Sequence, residues 1–250
     1  MRPIDLPTHE TCLFILQQLA SQQARILEVG SGNGELALQL QSLGHEVVAI
    51  DSSIEAVQQA KQLGVDARVA QWPDFEENNF DLILFTRSLH HIHPISKAVE
   101  QANRLLKPDG LVIMEDFAFN EVSPATVEWF YGILSLLDSC DRLLLEEDSF
   151  GKQLLLGEGS LEIWHHNHDH DLHPAPVMLT ALEDQFESIL QTTAPYLYRY
   201  LYPLLTENEM GYRIIARVLD LEKRMANAGL VSLIGRRFVG RKRETQSNQH

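Results

Sequence analysis

Cysteine is rare in this chain, basic side chains are few, and long apolar runs are missing. Cys12 and Cys140 are the two cysteines among 250 residues, and they stand far apart rather than in a C-x-x-C pair. Isolated cysteines are typical of proteins from reducing compartments. No stretch approaches the roughly 20 apolar residues that a bilayer-spanning helix requires, and no secretory signal pattern opens the chain. We therefore expect a soluble, cytoplasmic protein without a membrane partner.

Positive charge is also scarce, since 20 Lys and Arg oppose 35 Asp and Glu for a formal net charge of −15. Sequence-independent binding of nucleic acid needs a dominant positive surface, so we expect no nucleic-acid partner. One basic run stands near the C-terminus. We interpret it as a solvated strand end, with an RNA or phosphate role as the alternative. Its members are Arg236, Arg237, Arg241, Lys242 and Arg243.

The chain does contain a glycine turn that follows a short apolar segment. The β-branched run Arg25–Val29 predicts a buried strand. Gly30, Gly32 and Gly34 allow a tight turn that exposes backbone N–H groups at the start of a helix. A second strand, 46–50, ends at Asp51, about 20 residues beyond the glycines, where a carboxylate can accept both hydroxyls of a ribose. The pattern predicts a site for a cofactor that contains a nucleoside.

Two cofactors compete for this site. Gly32–Ala37 satisfies the dinucleotide pattern G-x-G-x-x-G/A, so an NAD-dependent oxidoreductase is one hypothesis. However, Glu28 precedes the turn in the pattern E-x-G-x-G-x-G, and a carboxylate repels a pyrophosphate but attracts a cation. This motif resembles the first motif of the class I S-adenosylmethionine-dependent methyltransferases, whose cofactor carries a sulfonium and an ammonium.

Further motifs extend the resemblance over about residues 24–118. Asn79–Phe85 resembles the family's F-D-x-[IVL] strand, Ser88–Ile92 the s-x-l-h-H-l segment, and Lys107–Gly110 the L-K-P-G-G-like turn. The resemblance implies a Rossmann-like α/β fold with a seven-stranded, mostly parallel sheet, helices on both faces and helical lid insertions. The alternation of strand and helix patterns independently predicts such a sheet.

The resemblance also implies which residues hold S-adenosylmethionine. The glycines would contact its methionine part, Glu28 would favour its positive charge, and Asp51 would hold the ribose. Gln71 would accept from the adenine amine and Trp72 would stack, although relatives often have an acidic residue there. Either Ser52 or its neighbour Ser53 is expected to cap the next helix. The predicted cofactor residues are Glu28, Gly30, Ser31, Gly32, Gly34, Asp51, Ser52, Gln71, Trp72 and Thr86.

The carboxyl ends of parallel strands share one edge of a sheet, and ligands bind there. This rule places Glu28, Asp51, Thr86 and Glu115 along one edge. Methyl transfer from a sulfonium needs alignment and exclusion of water, and an oxygen acceptor also needs a base. Of the three histidines that follow the fourth strand, we expect one to be a packing residue and His91 to be a catalytic candidate.

Residues 165–173 contain five histidines and two aspartates. Three interpretations stay open. His168, His170 and His173 form a divalent-metal site, in which the first two share a face of an extended segment. Alternatively, one of the three is a general base on a substrate loop. The third interpretation is a polar surface loop.

We predict one domain over residues 1–250. Its cofactor core is 24–118, and the insertions 119–173 and 195–229 build the acceptor pocket, the first by resemblance as a lid. The segment 123–148 shows a helical pattern interrupted near Asp138. Four alternating tyrosines predict an extended sheet edge or an aromatic wall. They are Tyr196, Tyr198, Tyr200 and Tyr202.

These patterns together favour an S-adenosylmethionine-dependent methyltransferase that acts on a small molecule. The alternatives are the NAD-dependent oxidoreductase and a non-catalytic metal-binding protein on the same fold. The sequence does not identify the acceptor atom or the oligomeric state.

Overall fold

The computed structural model describes residues 1–19, 23–168 and 171–243. The chain divides into two compact units. One unit, here called the helical unit, combines Met1–Thr8, Phe117–Leu172 and Thr193–Gly235. The other, the sheet unit, combines His9–Asp116, His173–Thr192 and the C-terminal segment from Arg236. Among the described residues, no helix is both long and apolar enough to cross a bilayer.

A seven-stranded sheet has the order β3-β2-β1-β4-β5-β7-β6. Neighbouring strands from β3 through β5 pair in parallel. The order reverses between β1 and β4, which is where α/β sheets open a ligand crevice at their carboxyl ends. The predicted fold class is confirmed. The strands are β1 (Arg25–Val29), β2 (Glu46–Asp51), β3 (Asp66–Val69), β4 (Phe80–Thr86), β5 (Leu106–Phe117), β6 (Phe186–Ala194) and β7 (Gly235–Lys242).

Helices alternate with the first five strands because the apolar positions change from strand to helix spacing. In α4, the buried residues Ala98, Val99, Ala102 and Leu105 recur every three or four positions and form one face. Ser53 caps α3, since its Oγ accepts a hydrogen bond from the Ala56 N–H at 3.2 Å, which confirms that a serine after Asp51 is a cap. The helices are α1 (Asp5–Gln18), α2 (Glu35–Ser42), α3 (Ile54–Gln62), α4 (Ile95–Leu105), α5 (Pro124–Ser139), α6 (Phe150–Leu156), α7 (Leu161–His168), α8 (Ala175–Gln185) and α9 (Glu209–Asn227).

The two predicted insertions contribute to one hydrophobic core in the helical unit. Phe130 and Leu134 of α5, Trp164 of α7 and Ile215 of α9 are all fully buried there. α5 ends at Ser139 because Asp141 adopts a positive φ of 54° and the Arg142 N–H bonds the Leu137 carbonyl at 2.9 Å. Such a left-handed cap satisfies the last carbonyls and stops the helix. The helical pattern between 140 and 148 therefore does not form a helix.

The alternating tyrosines do not form an extended segment, so that prediction is wrong. Leu197–Leu204 is a 3-10 helix. A single buried carboxylate explains the change, because Glu222 accepts hydrogen bonds from three consecutive N–H groups, those of Tyr196, Leu197 and Tyr198, at 2.7 to 3.1 Å. Burial raises the pKa of Glu222, and these three donors oppose the rise. Amides held by one carboxylate are not available for a sheet ladder.

The basic C-terminal run belongs to β7 and its end, as expected, but several of its side chains are not simply solvated. Arg237 Nε donates to Glu115 Oε2 at 2.6 Å, and Lys242 Nζ donates to the Leu106 carbonyl at 2.8 Å. Arg243 donates to backbone carbonyls at Glu183 and Phe186. These positive charges therefore tie β7 to the sheet unit.

Candidate functional site

A cavity of 540 Å³ in the sheet unit opens at the carboxyl ends of the central strands. That volume lies within the usual range for small-molecule sites. Six residues that the sequence predicts for the site line this cavity: Gly30, Asp51, Ser52, Gln71, Trp72 and His91. The other lining residues are Val29, Ile50, Ala70, Arg87, Ser88, Ile92 and His93.

The glycine turn needs its glycines for different reasons. Gly30 and Gly34 have φ of 71° and 84°, and an added Cβ would lie 2.5 Å from Ser88 Cβ and 2.7 Å from Ala60 Cβ, respectively. Gly32 also has a positive φ, of 54°, but nothing lies within 4 Å of its ideal Cβ position. The first and third glycines therefore allow close packing, whereas the second leaves open space.

The predicted exposure of the turn's N–H groups is wrong for four of them. The N–H groups of Gly30 and Ser31 donate to the Ile50 carbonyl at 2.9 and 3.1 Å. Gly32 N–H donates to Asp51 Oδ2 at 2.9 Å, and Gly34 N–H donates to the Ser31 carbonyl at 3.2 Å. A pyrophosphate site relies on N–H groups that point at the ligand. These four donors are already used inside the protein.

Glu28 is 2 % exposed, at the end of β1. Its Oε1 accepts a hydrogen bond from the Thr86 hydroxyl at 3.1 Å. Its Oε2 is buried and has no hydrogen-bond partner among the described residues. Burial raises the pKa of Glu28 to about 8, although the Thr86 hydroxyl, the charge of Arg87 and the nearby backbone N–H of Ala37 oppose the rise. A buried carboxyl with one unsatisfied oxygen is stabilised by an approaching cation, which fits an ammonium or a sulfonium.

Two further predicted residues, Thr86 and Ser31, lie beside Glu28 and in the turn, respectively. Thr86 positions the Glu28 carboxyl through the hydrogen bond above. Ser31 Oγ is buried and, within the described part of the chain, makes no hydrogen bond. Its hydroxyl is thus a second polar atom that a ligand group would satisfy.

Asp51 lies where β2 ends and joins the turn to the next helix. Its Oδ2 accepts from Gly32 N–H and its Oδ1 accepts from Ser53 N–H, both at 2.9 Å. A carboxylate oxygen has room for more than one donor. Asp51 therefore keeps acceptor capacity toward the cavity that it lines, which suits a ribose diol.

Trp72 is a lining residue of the cavity, and its ring is held in place by two contacts. Its Nε1 donates to the Ala98 carbonyl at 3.1 Å, and its ring packs edge-on against Phe85 with centroids 5.8 Å apart. A ring held at both its edge and its polar atom offers a preorganised surface. Stacking on adenine stays a prediction for Trp72, as does the amide hydrogen bond for the exposed Gln71.

The histidines after β4 divide into two roles. His90 is buried, and its Nδ1 lies 2.7 Å from Asp116 Oδ1, so it is the expected packing histidine. His91 and His93 line the cavity. His173 fixes this segment, because its N–H donates to the His90 carbonyl at 2.9 Å and its Nε2 lies 3.1 Å from the Ile92 carbonyl.

His168 lies in the helical unit, on α7 rather than on a loop. Its Nδ1 is 2.7 Å from the Trp164 carbonyl and its Nε2 is 2.9 Å from the Tyr200 hydroxyl. Since a carbonyl only accepts, Nδ1 carries the proton and Nε2 accepts from Tyr200 when the ring is neutral. Both nitrogens are therefore engaged in hydrogen bonds, which leaves no lone pair for a metal in this arrangement.

The described residues contain no group of three histidine, cysteine or acidic side chains that could hold a metal. His170 lies outside the described residues, so the set of His168, His170 and His173 stays a prediction. The histidine-rich helix does border a cavity of 740 Å³ in the helical unit. Its lining residues are Phe119, Gln153, Leu161, Glu162, Ile163, His165, His166 and His168.

Glu115 pairs in register with Thr86, so it lies along the predicted edge. Its buried carboxylate accepts from the Thr11 hydroxyl and from Arg237 Nε, each at 2.6 Å, and therefore stabilises the sheet unit. Ser88 was missed as a lining residue. Its place inside the s-x-l-h-H-l segment was the available signal, since that segment follows β4.

Comparison with known proteins identifies a domain within the chain. A methyltransferase domain family matches residues 27–114. The chain is 35 % identical over 120 residues to a ubiquinone biosynthesis O-methyltransferase of Alkalilimnicola ehrlichii, covering 44 % of this chain and 49 % of that protein. It is 26 % identical over 136 residues to a ubiquinone/menaquinone biosynthesis C-methyltransferase, UbiE, of Rickettsia bellii, covering 48 % of this chain and 54 % of the relative. The chain thus spans about half the length of the curated relatives it matches.

Solved structures share the fold over a longer stretch. The N-methyltransferase NodS of Bradyrhizobium japonicum, in complex with S-adenosyl-L-homocysteine, aligns with a TM-score of 0.52 and 13 % identity. The alignment covers 94 % of this chain and 87 % of NodS. At this identity the likeness concerns the fold alone.

Proposed function

We propose, from the premise that residues 27–114 match a methyltransferase domain family, that the protein is an S-adenosylmethionine-dependent methyltransferase that acts on a small-molecule acceptor. The observation that carries the proposal is the burial of the Glu28 carboxyl. Its buried Oε2, without a hydrogen-bond partner among the described residues, calls for a positively charged group beside the glycine turn. When bound, S-adenosylmethionine would supply a methyl group on a cationic sulfur together with an ammonium.

The chain's own residues have separate tasks in this proposal. Glu28 favours the cationic end of the cofactor, Asp51 accepts the ribose hydroxyls, and Trp72 with Gln71 holds the adenine. The open space beside Gly32 admits the ligand next to the backbone. His91 lines the same cavity, so we assign it the role of general base, which accepts the proton that an acceptor hydroxyl must lose. Asp51, Gln71, Trp72 and His91 line the cavity, whereas Glu28 and Gly32 are not among its lining residues and belong to the strand end and turn that border it.

The helical unit supplies the acceptor site in this proposal. The segments 119–173 and 195–229 contribute to one core, and residues of the first segment line the cavity of 740 Å³. The names of the quinone-pathway relatives favour a small-molecule acceptor over a macromolecule. We further propose a cytoplasmic location, in keeping with the two unpaired cysteines.

The oxidoreductase alternative receives less support. A dinucleotide needs N–H groups directed at its pyrophosphate, yet four N–H groups of the turn donate within the protein. Glu28, which precedes that turn in β1, would also repel the phosphates when its carboxyl is ionised. A non-catalytic metal-binding role has no ligand group among the described residues to favour it.

Equilibrium dialysis with methyl-labelled S-adenosylmethionine and with labelled NAD tests the proposal. We expect saturable binding of the first and none of the second. Glu28→Gln should weaken binding by about 10- to 100-fold, the worth of a charge-assisted hydrogen bond, and Asp51→Ala should abolish it. Glu55→Gln is the matched control, because Glu55 is an exposed carboxylate on α3. Saturable NAD binding without S-adenosylmethionine binding would contradict the proposal.

A further inference from the structure

Arg87 occupies an unusual backbone conformation at the end of β4. Its φ is 58°, a left-handed value that a non-glycine residue adopts at a cost of roughly 1 kcal/mol or more. Its N–H donates to the Glu115 carbonyl at 2.8 Å, which fixes the peptide in place. Residues held in this way concentrate at binding sites. Arg87 is also one of the residues that line the cavity of the sheet unit.

The residues on either side of Arg87 both donate hydrogen bonds to the end of β1, next to the glycine turn. Before it, the Thr86 hydroxyl donates to Glu28 Oε1 at 3.1 Å. After it, Ser88 Oγ donates to the Val29 carbonyl at 2.6 Å, and Ser88 Cβ fills the space that a Cβ on Gly30 would need. These contacts leave little freedom for the backbone of Arg87, which is therefore held beside the turn.

A carboxyl and a guanidinium thus lie next to one turn, although Glu28 itself is not among the lining residues of the cavity. The Glu28 carboxyl reaches the turn from β1, and the positive charge of Arg87 acts on it, since it opposes the rise in the pKa of Glu28 that burial causes. Among the lining residues, Arg87 supplies a guanidinium and Asp51 supplies a partly buried carboxylate. A single cation or a single anion would match only part of this arrangement.

An α-amino acid group matches all of it, because its ammonium and its carboxylate are bonded to the same carbon. We propose that Arg87 binds the α-carboxylate at the amino-acid end of the cofactor while Glu28 faces the ammonium, so that Arg87 selects ligands that carry this carboxylate. The inference rests on the proposed function and specifies one contact within it. A guanidinium is suited to the task because its N–H groups match the two oxygens of a carboxylate.

Decarboxylated S-adenosylmethionine tests this contact, since it keeps the adenosine, the sulfonium and the ammonium but lacks the carboxylate. Wild-type protein should bind S-adenosylmethionine about tenfold more tightly than the decarboxylated form. Arg87→Met should lose about tenfold in affinity for S-adenosylmethionine and nothing for the decarboxylated ligand. Arg87→Lys should keep part of the preference, as a point charge without the planar fork. Arg104→Met, at an exposed arginine on α4, is the matched control.

Two outcomes overturn the inference without touching the proposed function. One is an equal loss of both ligands in Arg87→Met, and the other is no loss of either. Failure of the wild-type protein to bind S-adenosylmethionine would instead contradict the proposed function itself. If circular dichroism shows that Arg87→Met does not fold, the wild-type protein decides, because equal affinity for the two ligands refutes selection for the carboxylate.

Discussion

Glu28 and His168 show how single buried side chains restrict what each unit can bind. The Glu28 carboxyl is buried and accepts a hydrogen bond from the Thr86 hydroxyl. It is therefore held largely neutral until a cation approaches. The His168 ring has gained two hydrogen bonds, which fix its tautomer and occupy both nitrogens. Glu28 is therefore suited to a cationic ligand, whereas the ring nitrogens of His168 are occupied by contacts within the helical unit.

Glu28→Gln should change how stability depends on pH. The folded-state pKa of about 8 exceeds the ordinary value of 4.5, so the folded protein binds the extra proton between these limits. The free energy of unfolding therefore falls as pH rises through this window, by up to about 1.4 kcal/mol per pH unit. The variant should lose that part of the slope in urea titrations from pH 5 to 8. Parallel slopes in Glu28→Gln and wild-type protein would show that Glu28 is ionised in the fold.

Tyr200→Phe should destabilise the helical unit by about 1–3 kcal/mol, because it removes the hydroxyl that lies 2.9 Å from Nε2 of the buried His168. Tyr202→Phe, in the same 3-10 helix, should cost less, since its hydroxyl is not part of this pair. Urea unfolding followed by tryptophan fluorescence measures both, because Trp164 stacks on His168. Equal costs in the two variants would contradict the pairing.

At the scale of elements, the turn between β1 and α2 separates a packing requirement from a binding requirement. Gly34→Ala places a Cβ 2.7 Å from Ala60 Cβ and keeps a left-handed φ, so it should cost several kcal/mol of stability. Gly32→Ala has the left-handed φ but open space, so it should cost only about 1 kcal/mol. Because that space is assigned to the ligand, Gly32→Ala should instead lose cofactor affinity. Urea unfolding and equilibrium dialysis give the two readouts.

The reverse pattern would refute this division of labour. If Gly34→Ala folds with wild-type stability, the close approach of α3 to the turn is not required. If Gly32→Ala binds S-adenosylmethionine as wild type does, the ligand does not occupy the space beside Gly32.

The elements from β1 to β5 follow from local sequence signals. Short apolar runs ended by Gly30 or Asp51, and helical spacing in between, gave their order and nearly their bounds. Hydrogen bonds between distant segments were not predictable in this way. The Ile50 carbonyl occupies two N–H groups of the turn, and Glu222 reaches three amides some 25 positions earlier. Because of these tertiary hydrogen bonds, the N–H groups of the glycine turn are not exposed, and the tyrosine segment forms a 3-10 helix instead of a strand.

At the scale of the whole molecule, the net charge of −15 favours a cationic ligand over an anionic dinucleotide. Some of the few basic side chains are already paired inside the sheet unit, as Arg237 is with Glu115. Arg87 supplies a guanidinium among the residues that line the cavity, and the proposed contact with a ligand carboxylate depends on this side chain. The charge distribution and the local geometry of the site thus favour the same class of cofactor.

Calorimetric titration at about pH 6.5, in buffers of different ionisation enthalpy, tests the central claim most directly. The α-amino group of the ligand is already protonated there, while Glu28 is still neutral because its pKa is about 8. S-adenosylmethionine should bind saturably with release of close to one proton per protein, and NAD should give no binding heat. Saturable binding of NAD, or binding of S-adenosylmethionine with no proton released, would contradict the assignment of Glu28 to a cationic cofactor.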